Sequence, residues 1–334
     1  MRAYVLNKYG GPECASLSDV PVPKPGPGQL LVRVRAAGLN PVDYKIREGQ
    51  LRLIHSPKLP TVLGNELAGE VTELGAGVTG FTVGQRVFAR VAKTHMDAFA
   101  EYACIEAAHA ALIPSALDFA QAAGLPLAGL TALQALRDEL HLQPGFKVFI
   151  SAGAGGVGTF AIQIAKHLGA HVTTTASPRG ESLVRSLGAD EVIDYTRERF
   201  EQKLSGMDGA LDLLGGESLA HTFGIVKPGG KVVSVAGIPE PLTASQDLGR
   251  GGFLPVLFWA ASFRLRWLAR RHGVTYRYLF MHPSGAELAE LAELVERGAL
   301  RVVMDQTFPF EQIGAAMAHL EGGRAKGKVV VQMG

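Results

Sequence analysis

The first 118 residues alternate between apolar and polar positions in short runs, which is the pattern of half-buried β-strands. Examples are LLVRVRAAGL (30–39) and ELAGEVTELG (66–75), and turn-rich stretches such as PVPKPGPGQ (21–29) separate these runs. The period changes between Asp118 and Leu140, where apolar residues recur at helical spacing and Asp118 is placed to cap a helix. The pattern therefore predicts a β-rich domain over residues 1–118, followed by a helix.

Strands and helices then alternate along the chain. The predicted strands are 146–151, 171–176, 191–194, 210–214, 231–236 and 274–280, and the predicted helices between them are 157–168, 181–187, 197–204 and 216–226. Regular alternation of this kind implies a parallel sheet wrapped by helices on both faces. We therefore expect a doubly wound α/β domain over residues 119–282.

The last part of the chain completes the first domain in this interpretation. It holds a predicted helix (286–296), a strand (301–305), a second helix (312–320) and a strand (328–332). The α/β domain is thus inserted into a β-rich domain that comprises residues 1–118 and 283–334.

A glycine-rich turn follows the predicted strand FKVFIS and opens the next helix. Its residues are Ala152, Gly153, Ala154, Gly155, Gly156, Val157 and Gly158. Glycines let the backbone approach a pyrophosphate, and the helix N-terminus stabilises that group through its free N–H groups and dipole. A glycine pattern alone is weak evidence for a nucleotide site. Here a strand precedes the pattern, a helix follows it and a second strand comes after the helix, and this context predicts a dinucleotide site. A tight turn without a ligand is the alternative.

The end of the second predicted strand indicates which dinucleotide binds. A carboxylate there would hold the adenosine ribose of NAD, but the sequence TTASPR has no acid before Glu181. Ser177 and Arg179 can instead bind an additional phosphate, and Tyr195 ends the neighbouring strand. NADPH is therefore preferred over NADH. A helix-capping serine and a solvated arginine remain the alternative for these two residues.

Composition and charge narrow the function classes. The 33 Lys and Arg residues nearly balance 31 Asp and Glu residues, without a long block of one sign, so no nucleic-acid partner is expected. Cys14 and Cys104 are the only cysteines, which excludes a disulfide framework and a four-cysteine zinc lobe. With no apolar signal core at the N-terminus, we expect a cytoplasmic protein.

Long strings of the sequence resemble the medium-chain dehydrogenase/reductase superfamily, in particular its zinc-free quinone oxidoreductase branch. They are PVPKPGPGQLLVRVRAAGLNPVDYKIREG, LGNELAGEVTELGAGV, FAQAAGLPLAGLTALQAL, AGAGGVG, SLGADEVIDY and GKVVV, in this order along the chain. The match runs nearly end to end and is nearest to plastid-type and bacterial enone and quinone oxidoreductases. The resemblance implies a GroES-like β-barrel catalytic domain with an inserted Rossmann domain that binds NADP(H).

The same resemblance implies reduction of a small hydrophobic quinone, enone or enal with NADPH and without a metal. Zinc-dependent relatives have a cysteine within the stretch written here as 38–41, and a histidine where this chain has Asn65. Neither ligand is present, and no cysteine stands near Leu127 to supply a third. An alcohol-type dehydrogenase and a catalytically idle NADPH-binding redox sensor remain the alternative functions, and a homodimer is expected.

The resemblance also assigns roles to single residues. Asn40 and Tyr44 of NPVDYK are the catalytic candidates, because either could donate a hydrogen bond to the substrate carbonyl. For Tyr44, a half-buried aromatic without a catalytic role is the alternative. The glycine turn and the residues Ser177, Arg179 and Tyr195 are expected to bind the cofactor. Six further residues are expected near it: Lys45, Thr131, Gly237, Phe280, Gly327 and Lys328.

Two features depart from the family pattern. The nearest relatives carry a lysine three residues after the serine, where this chain has Gly180, so Arg179 would have to replace it. The segment 239–272 contains the string FLPVLFWAASFRLRWLARR. The first part of this string is apolar and aromatic, and its last part is basic. A lid or a flap near a dimer interface is the favoured interpretation of this segment, and association with a membrane surface is the alternative.

Overall fold

The computed structural model describes residues 1–54, 56–92 and 96–334. Contacts between residues divide the chain into two compact units. Unit 1 comprises Met1–Leu130 and Pro283–Gly334, and unit 2 comprises Thr131–His282. One unit is thus inserted into the other.

The N-terminal part of unit 1 is rich in strands, as its alternating pattern predicts. Its elements are β1 (Arg2–Leu6), β2 (Ala15–Asp19), β3 (Gln29–Leu39), α1 (Pro41–Arg47), β4 (Thr61–Val62), β5 (Glu66–Leu74), β6 (Arg86–Arg90), β7 (Tyr102–Glu106), β8 (Ala110–Leu112), α2 (Phe119–Ala123) and α3 (Pro126–Leu133), whose last three residues belong to unit 2. Helix α1 is absent from the predicted elements. Its signals are Asn40 at the N-cap, Pro41 in the first turn and Asp43, whose carboxylate accepts the Asn40 N–H at 2.7 Å.

Unit 2 alternates strands and helices. Its elements are β9 (Lys147–Ile150), α4 (Gly156–His167), β10 (His171–Ala176), α5 (Pro178–Ser186), β11 (Glu191–Asp194), α6 (Phe200–Lys203), β12 (Met207–Asp212), α7 (Gly216–Ile225), β13 (Val226–Ser234), α8 (Leu254–Ala261), α9 (Phe263–Arg271) and β14 (Thr275–Tyr278). The strands form one six-stranded sheet in the order β11-β10-β9-β12-β13-β14, and every pair in it is parallel. The predicted doubly wound parallel sheet is confirmed.

The chain then returns to unit 1. The elements are α10 (Gly285–Glu296), β15 (Met304–Pro309), α11 (Ile313–Glu321) and β16 (Lys328–Gln332). Within the described residues, the larger sheet of this unit runs β15-β16-β3-β5-β6-β8, with β7 paired to β3, and a smaller sheet runs β2-β1-β4. The C-terminal strand β16 is antiparallel to β3, so one sheet joins the two chain segments of unit 1.

Two predicted boundaries differ from the structure. Residues 119–130 belong to unit 1, whereas the pattern assigned them to the inserted domain. Their alanine-rich helix α2 lies against the larger sheet so closely that a Cβ on Gly38 would lie 2.5 Å from the Ala123 carbonyl oxygen. The strand predicted at 301–305 is instead β15, three residues later, because its pairing with β16 begins at Met304.

No helix in the described ranges is long and apolar enough to span a membrane. The two helices of the apolar and basic segment, α8 and α9, have eight and nine residues.

Candidate active site

The glycine turn lies between β9 and α4, at the carboxyl end of a central strand of the parallel sheet. Two of its glycines are required by close approach. A Cβ on Gly153 would lie 2.2 Å from Thr174 Oγ1, and a Cβ on Gly158 would lie 2.4 Å from the Ala152 carbonyl oxygen. Ala152 itself has a left-handed φ of 53°. The turn is therefore packed directly onto strand β10, and its shape depends on glycine.

The start of α4 fits a pyrophosphate group. Gly155 is the N-cap and provides no side-chain hydrogen bond to the helix, so the first N–H groups of α4 are available to an anion. Ala154, Gly155, Gly156 and Val157 are only half-buried. The neighbours of β9 are β10 and β12, which places this turn where the strand order reverses, the usual ligand position in such sheets.

Three residues predicted to bind the additional phosphate of NADPH follow the carboxyl ends of the neighbouring strands β10 and β11. Ser177 is the N-cap of α5 and makes no side-chain capping bond, so the capping alternative does not describe its hydroxyl. Arg179 lies exposed in the first turn of the same helix. Because Ala176 pairs with Asp194 across β10 and β11, Tyr195 follows on the strand beside Ser177, and its side chain is exposed.

Gly180 lies where the start of α5 contacts the glycine turn. It is buried, and a Cβ at this position would lie 3.1 Å from Ala154 Cβ. The first turn of α5 therefore contacts the glycine turn directly. A longer side chain would start from a crowded position, whereas Arg179 projects from the exposed side of the same turn.

Gly237 and Phe280 follow β13 and β14 at the same edge of the sheet. A Cβ on Gly237 would lie 2.4 Å from Tyr276 Oη, which donates a hydrogen bond to the Ile238 carbonyl at 2.7 Å. Packing inside unit 2 thus already requires glycine at 237. The Phe280 N–H donates to Asp247 Oδ2 at 2.9 Å.

A buried arginine holds the segment between these two residues. Arg277, on β14, is 3% exposed and donates to Glu139 Oε1 at 2.8 Å and Glu240 Oε1 at 3.1 Å. It also donates to Asp247 Oδ1 at 2.5 Å, and burial raises the pKa of the Glu240 carboxyl. The chain after β13 is therefore fixed to β14 by ion pairs that the sequence analysis did not identify.

Unit 1 contains a second polar group of residues, centred on the ammonium of Lys328. Lys328 Nζ donates to Asn40 Oδ1 at 2.6 Å, Glu66 Oε1 at 2.8 Å and the Leu39 carbonyl at 3.2 Å. Asn40 Nδ2 donates to the same Glu66 oxygen at 2.6 Å, and the Leu127 N–H donates to the other at 2.6 Å. Every one of the three side chains is almost completely buried. We call Asn40, Glu66 and Lys328 the ammonium cluster.

A second pair of charges lies beside the ammonium cluster. Asp43 accepts 2.6 Å and 2.7 Å hydrogen bonds from Asn65 Nδ2 and from the Asn40 N–H. Burial raises the pKa of Asp43 to about 7, against the opposing effect of these hydrogen bonds. Arg90 donates to the Asn65 carbonyl at 3.2 Å, and its buried Nε atom has no hydrogen-bond partner among the described residues. Burial lowers the pKa of Arg90 to about 10.

These residues do not fit a catalytic zinc ion. Zinc sites use thiolate, imidazole and carboxylate donors. The sequence analysis expects zinc ligands within the stretch 38–41, at Asn65 and near Leu127, and none of these places holds a cysteine or a histidine. Both carboxylate oxygens of Glu66 accept hydrogen bonds, and the Lys328 ammonium, which is itself a cation, contacts this carboxylate. Among the described residues, no group of three or more His, Cys, Asp or Glu side chains is arranged to hold a metal.

The other predicted site residues have the following positions. Tyr44 and Lys45 are half-buried in α1, and Thr131 is buried in α3. Gly327 has a φ of 94°, and a Cβ there would lie 2.3 Å from the Val303 carbonyl oxygen. Gly327 is therefore required by the backbone that brings Lys328 to the head of β16.

The structure thus joins Asn40 to Lys328 by a hydrogen bond, and it places Ser177, Arg179 and Tyr195 directly after the paired strands β10 and β11. Sequence reasoning missed Glu66, Arg90 and Arg277 as members of these networks. The available signal was a charged residue inside an otherwise apolar strand, since such residues are rarely buried without a partner.

Comparison with known proteins gives the family. Residues 26–115 match the model of the alcohol dehydrogenase GroES-like domain, and residues 187–331 match the model described as zinc-binding dehydrogenase. The NADPH-dependent alkenal/one oxidoreductase of Arabidopsis thaliana chloroplasts is 37% identical over 342 residues, which are 99% of this chain and 79% of that protein.

Solved structures agree with this result over nearly the whole chain. The quinone oxidoreductase of Coxiella burnetii superposes with a TM-score of 0.85 at 33% identity and 99% coverage of both chains. The quinone oxidoreductase of Escherichia coli, solved in complex with NADPH, gives 0.83 at 26% identity, covering 99% of this chain and 100% of that one. The predicted GroES-like and Rossmann domains are confirmed. The chain belongs to the medium-chain dehydrogenase/reductase superfamily and, within it, to the quinone and enone oxidoreductases.

Proposed function

We propose that the protein transfers a hydride from NADPH to a quinone or to the C=C bond of an α,β-unsaturated carbonyl. The observation that carries this proposal is the glycine turn at the start of α4, built on a parallel sheet with the strand order of dinucleotide-binding domains. Relatives named as alkenal/one and quinone oxidoreductases support the substrate class.

In this proposal the N-termini of two helices of unit 2, α4 and α5, bind the anionic groups of the cofactor. The first N–H groups of α4 would hold the pyrophosphate. Ser177, Arg179 and Tyr195 would hold the additional phosphate beside the adenosine ribose, since a guanidinium can donate two parallel hydrogen bonds to a phosphate. When bound, NADPH supplies the hydride and its two electrons.

Zinc-independent chemistry is part of the proposal. A metal would polarise a plain carbonyl, and the ammonium cluster shows no donor set that would hold one. Attack at a conjugated carbon needs less polarisation, because negative charge spreads onto the carbonyl oxygen and one hydrogen-bond donor stabilises it there.

Tyr44 is the donor we propose for that oxygen. Its hydroxyl has no hydrogen-bond partner within residues 1–54, 56–92 and 96–334. Burial, together with the charges of Glu321 and Glu48, raises the pKa of Tyr44, so the phenol keeps its proton at neutral pH. The amide of Asn40 is bonded to Glu66 and Lys328, and we assign it the role of positioning α1.

We also propose a homodimer and a cytoplasmic location. Among the described residues, strand β14 is at one edge of the six-stranded sheet, and the edge of a sheet can pair with a strand of a second copy. Light scattering after size-exclusion chromatography tests the dimer, and fractionation of the source cells tests the location.

A substrate panel tests the reaction. NADPH oxidation is followed with 1,4-benzoquinone, an alkenal, a cyclic enone and a plain ketone, each with and without a strong chelator. We expect turnover of the quinone, the alkenal or the enone, unchanged by the chelator. Turnover of the ketone alone, or loss of activity with the chelator, contradicts the proposal, and inactivity with all four favours a cofactor-binding sensor.

A further inference from the structure

Unit 2 presents large apolar side chains to solvent on the helix pair α8–α9. Phe253 is 75% exposed, Trp259 51% and Trp267 48%, and Val256 and Phe263 are also exposed. Folded proteins rarely leave contiguous aromatic side chains in water unless the surface binds something. We call these five residues, with Arg264, Arg266, Arg270 and Arg271, the aromatic–arginine face.

Helix periodicity places the aromatic and basic residues of α9 on one side. The inner side, Leu265, Leu268 and Ala269, packs into the hydrophobic core of unit 2. Phe263 and Trp267 are four residues apart and therefore lie on one stripe of the outer side. The arginines flank that stripe. The face is thus the outer surface of a helix that is anchored by its inner surface.

The side chains of the face are ordered by contacts with each other. Arg266 donates to the Trp259 carbonyl at 2.7 Å and to Ser262 Oγ at 3.0 Å, which ties the end of α8 to the start of α9. The ring centroids of Trp259 and Phe263 are 5.9 Å apart, and the Arg271 guanidinium lies 4.9 Å from the Trp267 ring centroid. Binding would therefore order few additional side chains.

The sequence that contains the face carries formal charge of one sign only. The sequence contains no Asp or Glu between Asp247 and Glu287, whereas arginine occurs at positions 250, 264, 266, 270, 271 and 277. Of these, Arg277 is buried and paired, as described above. The exposed arginines of α9 therefore have no acidic residue near them in sequence, in contrast to the balanced charge of the whole chain.

We propose that the aromatic–arginine face binds the surface of a bilayer that contains anionic lipids. Tryptophan and phenylalanine favour the boundary between headgroups and acyl chains, and arginine donates to lipid phosphates. Helices of eight and nine residues can lie in this boundary but cannot cross the bilayer. A second copy is the less suitable occupant, because a two-fold contact through this face would bring arginines against arginines.

The proposal is independent of the reaction assigned above, and vesicle flotation tests it. The full-length protein is mixed at physiological salt with vesicles of phosphatidylcholine alone, or of phosphatidylcholine with phosphatidylglycerol. We expect flotation only with the anionic vesicles. Because each arginine near such a surface contributes about 1 kcal/mol, the triple variant R264Q/R270Q/R271Q should bind on the order of 100-fold more weakly.

Matched variants distinguish binding through the aromatic–arginine face from non-specific binding of the protein to vesicles. F263S/W267S should lose flotation at least about tenfold, because two aromatic anchors are removed. The controls R197Q/R199Q/R324Q and L53S/V83S change exposed arginines and exposed apolar residues elsewhere and should float as the wild type does. Thermal unfolding of every variant establishes that it is folded.

Three outcomes would overturn the proposal. The first is wild-type protein that stays with the buffer in the presence of anionic vesicles. The second is equal flotation of the face variants and the control variants. The third is a dimer in solution that F263S/W267S converts to monomer, because a second copy would then cover the face.

Discussion

Removal of the buried ammonium in Lys328→Met should destabilise the protein severely. Methionine keeps the unbranched stem of the side chain and lacks the ammonium. Among the described residues, it leaves the completely buried Glu66 carboxylate with the Asn40 amide and the Leu127 N–H as its hydrogen-bond donors. Breaking a buried ion pair from one side costs about 3–5 kcal/mol. For the 334 residues of this chain, with an unfolding entropy of about 2.1 cal/mol/K per residue, the loss corresponds to roughly 4–7 °C in Tm.

Urea denaturation and thermal unfolding measure this loss. Lys58→Met, at an exposed position, is the matched control and should stay within about 0.5 kcal/mol of the wild type. The double variant K328M/E66Q removes both charges and should recover part of the loss, with a coupling free energy of about 1–3 kcal/mol. A Lys328→Met protein as stable as Lys58→Met would refute the electrostatic role of the ammonium cluster.

Four further changes test other parts of the site. Arg179→Ala should raise the KM for NADPH about tenfold and leave the KM for NADH nearly unchanged, because only NADPH carries the additional phosphate. Tyr44→Phe should lower kcat on the order of 100-fold with little change in cofactor affinity, as expected for one lost donor to a developing oxyanion. Gly153→Ala should abolish NADPH binding measured by calorimetry, since its Cβ would lie 2.2 Å from Thr174 Oγ1. Because the pKa of Asp43 is raised from 3.8 to about 7, the folded state binds an additional proton between these values. The free energy of unfolding should therefore fall as pH rises from about 4 to about 7, and this contribution should be missing in Asp43→Asn.

Control variants make these results specific. Arg185→Ala, on the same helix α5, should leave both cofactor constants unchanged, and Gly314→Ala should be harmless because a Cβ at 314 meets open space. Equal effects of Arg179→Ala on NADPH and NADH would contradict the phosphate assignment. A Tyr44→Phe enzyme with wild-type kcat would remove Tyr44 from the reaction, and parallel pH profiles for wild type and Asp43→Asn would show that Asp43 does not titrate in this range.

Much of the fold follows from local pattern. The predicted strands 171–176, 191–194 and 328–332 coincide with β10, β11 and β16, because apolar and β-branched residues fill them and turns bound them. Asp118 caps α2 as predicted, accepting the Gln121 N–H at 2.8 Å. Helix α1 could have been found from Asn40 and Pro41, whose combination is a helix start.

The buried networks could not be predicted in the same way. Lys328 and Asn40 are 288 positions apart, and only the antiparallel register of β16 and β3 brings them together. Likewise, a helical period does not tell which sheet a helix covers, so residues 119–130 were assigned to the other domain. Local pattern predicts elements, whereas the partners of a buried charge depend on how strands pair across the whole chain.

The most direct test of the proposed reaction is transfer of an isotope from the cofactor. NADPH carrying deuterium at the reactive C4 position of its nicotinamide is incubated with the enzyme and a cyclic enone, and the product is analysed by NMR. We predict one deuterium on the β-carbon, a solvent proton on the α-carbon and an intact carbonyl. Deuterium on the former carbonyl carbon, with the C=C bond intact, would contradict conjugate reduction by this enzyme.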